Sequence, residues 1–276
     1  ASFAAVARTN PKQRPIVISY LMFASSLGFV VGPAIISQLV AHWGIGQLYL
    51  IAVPGAIITL ALLKYIPQEH GEGPPQAKRR GNPYRAAFSP IFPLFLSALA
   101  ISITAMNLYS LVPIHFRHKG LSIETIGFYL SLFALGCAVG PLLGSLWARR
   151  WGKSRMIIMS AVFSIVFLLL FVHTQGVLLT NMASFLILGI ALMLPISILI
   201  DMAQEKAPQY VGAASSVLGG FAWGCGGLLV IVFAKLAEIV GIQTVVDGLV
   251  LFPLLNLMLI ALTGAFRSRP AATTSS

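Results

Sequence analysis

Eight stretches of this chain are apolar for about as long as a helix needs to cross a bilayer. That constrains its fold more than any motif it carries. A helix rises about 1.5 Å per residue, so roughly 20 apolar residues span a hydrocarbon core of about 30 Å. The stretches are 16–41, 48–66, 90–114, 123–147, 156–173, 177–200, 212–237 and 246–266. In hydrocarbon every backbone N–H and C=O must be paired within the protein, which a helix does by itself. The expectation is an all-α integral membrane protein with eight transmembrane helices. Composition agrees: 9% of the residues are charged and 58% hydrophobic, against about 25% charged in a soluble domain.

The net charge of +11 would suggest nucleic acid in a soluble chain. Here the cations sit in short runs between the apolar stretches, so no nucleic-acid partner is expected. If the chain crosses at every stretch, fifteen of its 18 Lys and Arg residues fall on one side, among them Arg8, Lys12, Arg79, Arg80, Arg149, Arg150, Lys153 and Arg155. The other side receives Arg117 and Lys119, with Lys235 near that end. By the positive-inside rule the cation-rich side is cytoplasmic, which places both ends of the chain in the cytoplasm of a multi-pass plasma-membrane protein, a bacterial inner membrane being expected. The two cysteines, Cys137 and Cys225, lie in apolar stretches and read as small packing residues.

The polar segment 67–89, rich in Pro and Gly, reads as a cytoplasmic linker. A weak internal repeat crosses it: "LVAHWGI" at 39–45 matches "LAEIVGI" at 236–242, and the same offset pairs Pro11 with Pro208. Duplicated halves are usual in secondary transporters. The domain expectation is the end of an N-terminal bundle over 1–66, the linker, a six-helix bundle over 90–266 and a cytoplasmic tail over 267–276. Four further helices are expected upstream. The prolines at 90, 93 and 113 are expected to mark helix ends.

Lipid gives helices no hydrophobic reason to associate, so close packing has to do it. Gly136, Gly140 and Gly144 recur every four residues and form one smooth groove, with Pro141 a possible kink; Gly28, Gly32 and Pro33 repeat the pattern. These are either packing grooves or contacts that slide and bend during a rocking motion.

"GFVVGPAII" (28–36) resembles the glycine–proline motif in the fifth helix of major facilitator superfamily antiporters. "SLWARRWGKSR" (145–155) resembles the loop motif that follows the second and eighth helices of that superfamily. "DMAQEKAPQYVGAASSVLGGFAWGCGGLL" (201–229) is similar to the junction of the tenth and eleventh helices in fosmidomycin-resistance-type exporters. The resemblance implies a fold of twelve helices in two six-helix bundles, of which helices five to twelve are present. It also implies conformational roles for Gly28, Gly32, Pro33, Gly136, Gly140, Pro141, Gly144, Arg150, Gly152 and Lys153. The loop departs from the pattern: Ser145 and Arg149 stand where the family has Gly and Asp, so a cytoplasmic latch has to work otherwise or reside in the upstream first-half loop. Ile36 and Ser37 replace the trailing glycines of the fifth-helix motif.

Polar residues at mid-depth are the candidates for touching substrate. They are Asn107, Tyr109 and Ser110 on 90–114, Asn181 and Ser184 on 177–200, and Trp223 on 212–237, with Asn256 on 246–266. By analogy with the family, 90–114 and 177–200 line the central cavity. Hydrogen bonds between helices, or plain packing, are the competing roles. No carboxylate lies mid-span; the proton-coupling group is expected either in upstream helices or at Asp201, whose other reading is a cap facing the cytoplasm. No metal or cofactor is expected, a proton gradient being the energy source, and no enzyme motif is found. The expected function is proton-coupled efflux of small drug-like or metabolite compounds by a monomer in the bilayer. A nutrient symporter and a non-transporting membrane protein are the alternatives.

Overall fold

The computed structural model describes residues 14–65, 83–174 and 178–263. Regular structure there is helical throughout. Helix α1 (Arg14–Trp43) leads through a 3₁₀ segment (Ile45–Ile51) into α2 (Ala52–Tyr65). Then come α3 (Pro83–His118), α4 (Ile123–Trp151), α5 (Lys153–His173), α6 (Leu178–Met193) and α7 (Ile196–Lys206). A short 3₁₀ turn precedes α8 (Val211–Ser216), a π turn (Val217–Phe221), α9 (Ala222–Val240), α10 (Ile242–Gly248) and α11 (Leu251–Thr263).

Seven of the described helical runs are long and apolar enough to cross a membrane, α6–α7, α8–α9 and α10–α11 each counting as one. The eighth expected crossing, 48–66, is represented by the 3₁₀ segment and the 14-residue α2. Most of the expected linker and the whole tail lie outside the described residues, as do Arg8, Lys12, Arg79 and Arg80. The last part of the 67–89 segment is already helical, because α3 starts at Pro83.

Proline does not end α3 as expected: Pro90, Pro93 and Pro113 all lie inside it. Each proline removes a single i→i−4 bond, and a helix shielded from water and held by neighbours survives that loss. Helix boundaries come instead from caps and glycine. Ser122 caps α4 by accepting the Thr125 N–H at 3.3 Å. Gly152 separates α4 from α5 at φ +88°, a conformation that costs a side-chain-bearing residue but not glycine.

The centre of the bundle is α3 and the α6–α7 run, whose apolar windows are 72% and 78% buried. Around them α4 packs on α1 and α6, α5 on α6 and α11, and α9 and α11 on α3. The part of this core toward the α3–α4 turn is aromatic. Phe171 and Phe133 both stack on Phe185, at 4.4 and 4.5 Å between centroids, and Phe116 meets Tyr129 edge-on at 4.8 Å. On α1, Leu27, Phe29, Val31 and Ile35 face outward, as lipid-facing residues do.

The π turn ends where the Ala222 N–H reaches back to the Val217 carbonyl. Just beyond it, the Ser102 hydroxyl of α3 donates to the Ala222 carbonyl at 2.8 Å. A Cβ on Gly226 would fall 2.5 Å from Ser102 Oγ. These two contacts fix the register of α9 on α3.

Candidate functional site

The glycines of α4 form a contact surface for α6 and α7. A Cβ at Gly136, Gly140 or Gly144 would strike the carbonyl oxygen of Leu186, Ile190 or Leu194, and a Cβ at Gly189 would lie 2.5 Å from the Phe133 carbonyl. Two backbones therefore touch with no side chain between them, the packing that replaces the hydrophobic effect in lipid.

Proline breaks the backbone ladder beside this seam, and at Pro195 a serine repairs it. Pro195 has no N–H for the Ala191 carbonyl, which accepts instead from Ser160 of α5 at 2.7 Å. The Pro141 carbonyl accepts from Ser197 of α7 at 3.1 Å. Both proline sites are thus tied to a neighbouring helix through a serine hydroxyl.

On its other face α4 meets α1 at two levels. Toward the start of α1, Ser19 and Ser145, both fully buried, share a hydrogen bond of 2.8 Å. Toward the end of α1, the Ala34 N–H, just past Pro33, donates to Ser131 Oγ at 3.0 Å. A Cβ on Gly127 there would strike Ser37 and fall 2.7 Å from the Pro33 carbonyl. Gly28 and Gly32 do not take part: a Cβ on either would meet nothing within 4 Å among the described residues.

At the α4–α5 corner a charge cluster closes onto α7. Lys153 Nζ donates to Asp201 Oδ2 at 2.5 Å and to Glu205 Oε1 at 2.8 Å. Asp201 is 1% exposed, Lys153 21% and Glu205 49%. Asp201 is therefore no solvent-facing cap: it is a buried carboxylate neutralised by Lys153. Arg149 and Arg150 are exposed.

The major facilitator superfamily model matches residues 1–231. The chain belongs to this superfamily. It is an integral, multi-pass membrane protein of a transporter family, not of an enzyme family. It is similar to the fosmidomycin resistance protein of Escherichia coli K12, 26% identical over 88% of this chain and 61% of that protein. It is also similar to an uncharacterised MFS-type transporter of Bacillus subtilis 168, YfnC, 26% identical over 55% of this chain and 36% of the other. In fold it is similar to a bacterial homologue of the iron transporter ferroportin, solved in an outward-facing state, with a TM-score of 0.59 and 17% identity over 94% of this chain and 66% of that one. The chain thus spans about three fifths of the curated relative that it matches over most of its own length.

The substrate-pathway candidates have different surroundings among the described residues. Asn107 is fully buried; its amide donates to Ile103 O at 2.9 Å, and its Oδ1 meets no partner among the described residues. Tyr109 is half-buried, edge-on to Phe133 at 5.0 Å, and Ser110 beside it is half-buried too. Asn181 is buried and ties α6 to the end of α5 by donating to Phe171 O at 2.6 Å. Ser184 bonds back to Thr180 O at 2.7 Å, and half-buried Trp223 packs on the core. Sequence reasoning missed the pairing of Lys153 with Asp201 and Glu205. The signal was present: two carboxylates four residues apart share one helix face.

Proposed function

We propose that this protein exports small drug-like or metabolite compounds in exchange for protons, alternating between states open to either side of the membrane. The observation that carries this reading is the similarity over 88% of the chain to a protein named for fosmidomycin resistance. The helix contacts support it. The α1–α4 seam is the most extensive helix pairing among the described residues, and it carries a hydroxyl–hydroxyl contact toward one end and a backbone–hydroxyl contact toward the other. The α4–α6 seam is by contrast backbone on backbone, a joint that moves as a unit. Lys153 with Asp201 and Glu205 supplies the cytoplasmic tie that the loop motif's Arg149 cannot. The charge bias supports an inner-membrane protein with both ends in the cytoplasm, and the proton gradient, lipid and a small substrate are its partners.

The test is transport in energised everted vesicles carrying the protein, with luminal pH followed as compounds are added, fosmidomycin first. Proton release on addition, absent from vesicles without the protein, is the expected result. Silence with every compound, together with energised uptake of a sugar or organic acid by whole cells, would reverse the direction to symport. Asp201→Asn in the same assay asks where coupling resides: a retained response places the coupling group elsewhere.

A further inference from the structure

A small polar cavity lies inside the bundle where α3, α5, α6 and α11 meet. It leaves about 10 Å³ for the centre of a water-sized sphere, near the minimum that holds one water molecule. Its polar lining is Thr104, Ser160, Ser164 and Asn256, each 3% exposed or less. Thr104 and Ser164 are one residue past the midpoints of the spans Phe88–His118 and Lys153–His173, so the cavity lies near mid-depth.

Ser164 sets it apart. Its hydroxyl has no hydrogen-bond partner among the described residues. Every other buried serine there has one, either on its own helix, as at Ser184, or on another, as at Ser97 and Ser160. A helical serine can always bond back to the preceding turn, so a hydroxyl facing a cavity instead points to something in it.

The remaining groups define what that is. Thr104 gives its proton to Ala100 O at 3.0 Å, and Ser160 gives its own to Ala191 O at 2.7 Å. Both oxygens therefore offer lone pairs to the cavity. Asn256 Oδ1 is taken by Ser97 at 2.6 Å, which leaves its N–H groups as donors. The Ser164 hydroxyl can act either way. Two acceptors, one donor and one group of either kind match the two donors and two acceptors of a water molecule. A cation is disfavoured by the amide N–H and by a lining with no carboxylate, and an anion by two lone-pair walls.

We propose that this cavity is a binding site for a single water molecule, which donates to Thr104 and Ser160 and accepts from Ser164 and Asn256. It joins α3, α5 and α11 at a depth where bulk water does not reach. The decisive variant is Ser164→Ala in the full chain, because its sign differs between a wet and a dry site. With water bound, the variant removes one hydrogen bond, and the unfolding temperature falls by on the order of 2–4 °C. With a dry cavity, it removes a buried, unsatisfied hydroxyl and the temperature rises or stays. A rise or no change overturns the proposal. So does an experimental map without density within about 3.2 Å of Ser164 Oγ. A stability that depends on sodium when choline replaces it would also overturn it, in favour of a cation.

Discussion

Gly144 and Gly28 are the same residue type in similar sequence surroundings, yet their neighbours differ completely. A Cβ at Gly144 overlaps the Leu194 carbonyl, whereas one at Gly28 meets nothing within 4 Å. Gly144→Ala should therefore push α4 off the α6–α7 junction and cost about 1–3 kcal/mol, the usual range for overpacking. Gly28→Ala should stay within about 0.5 kcal/mol of the parent. Thermal unfolding of the two purified variants side by side checks both. Lys153 carries a different kind of residue-scale risk, because removing it strands the charge of buried Asp201. Lys153→Ala is expected to cost about 3 kcal/mol, at the lower end for breaking a buried pair. Adding Asp201→Asn should recover most of the loss, and a double-mutant cycle of unfolding temperatures measures that coupling.

Between elements, one polar contact of α1 with α4 is specific enough to capture chemically. Ser19 and Ser145 oxygens are 2.8 Å apart, so cysteines at both positions should form a disulfide on mild oxidation, seen as a mobility shift on a non-reducing gel. If the protein works by parting α1 from α4, transport should stop with the disulfide and return with reductant. The glycine spacing of α4 made its role as a packing surface legible in the sequence, since residues four apart share a face. What it could not show was which helix fills the groove, or that Gly28 and Gly32 would have no such neighbour: that depends on the placement of other helices. The breaks at Pro195 and in the π turn were equally hidden. The hydroxyl that answers each comes from another helix: Ser160 of α5 at the Pro195 break, and Ser102 of α3 just beyond the π turn.

Over the whole molecule, the apolar stretches and their charge bias carried the fold class because a bilayer imposes length and side on every segment at once. The same bias predicts topology. A cysteine at Lys119 should react with a membrane-impermeant maleimide in intact cells, and one at Arg150 only after permeabilisation. Both labelling together would break the assignment of sides. The candidate pathway was far less legible, because Asn107, Asn181 and Trp223 differ in their surroundings and not in their type. The wide turn at Val217–Phe221 carries a last consequence, which concerns insertion and deletion. It holds about one residue more than an α-helical path needs, while every other residue turns the chain by about 100°. Losing one residue inside 217–221 could close the turn to regular helix and leave Ala222 and Gly226 facing Ser102. Losing one between Ala222 and Gly226 would rotate the two contacts out of phase with each other. This helix thus tolerates a change of length at one place, and that place lies before its contacts with α3.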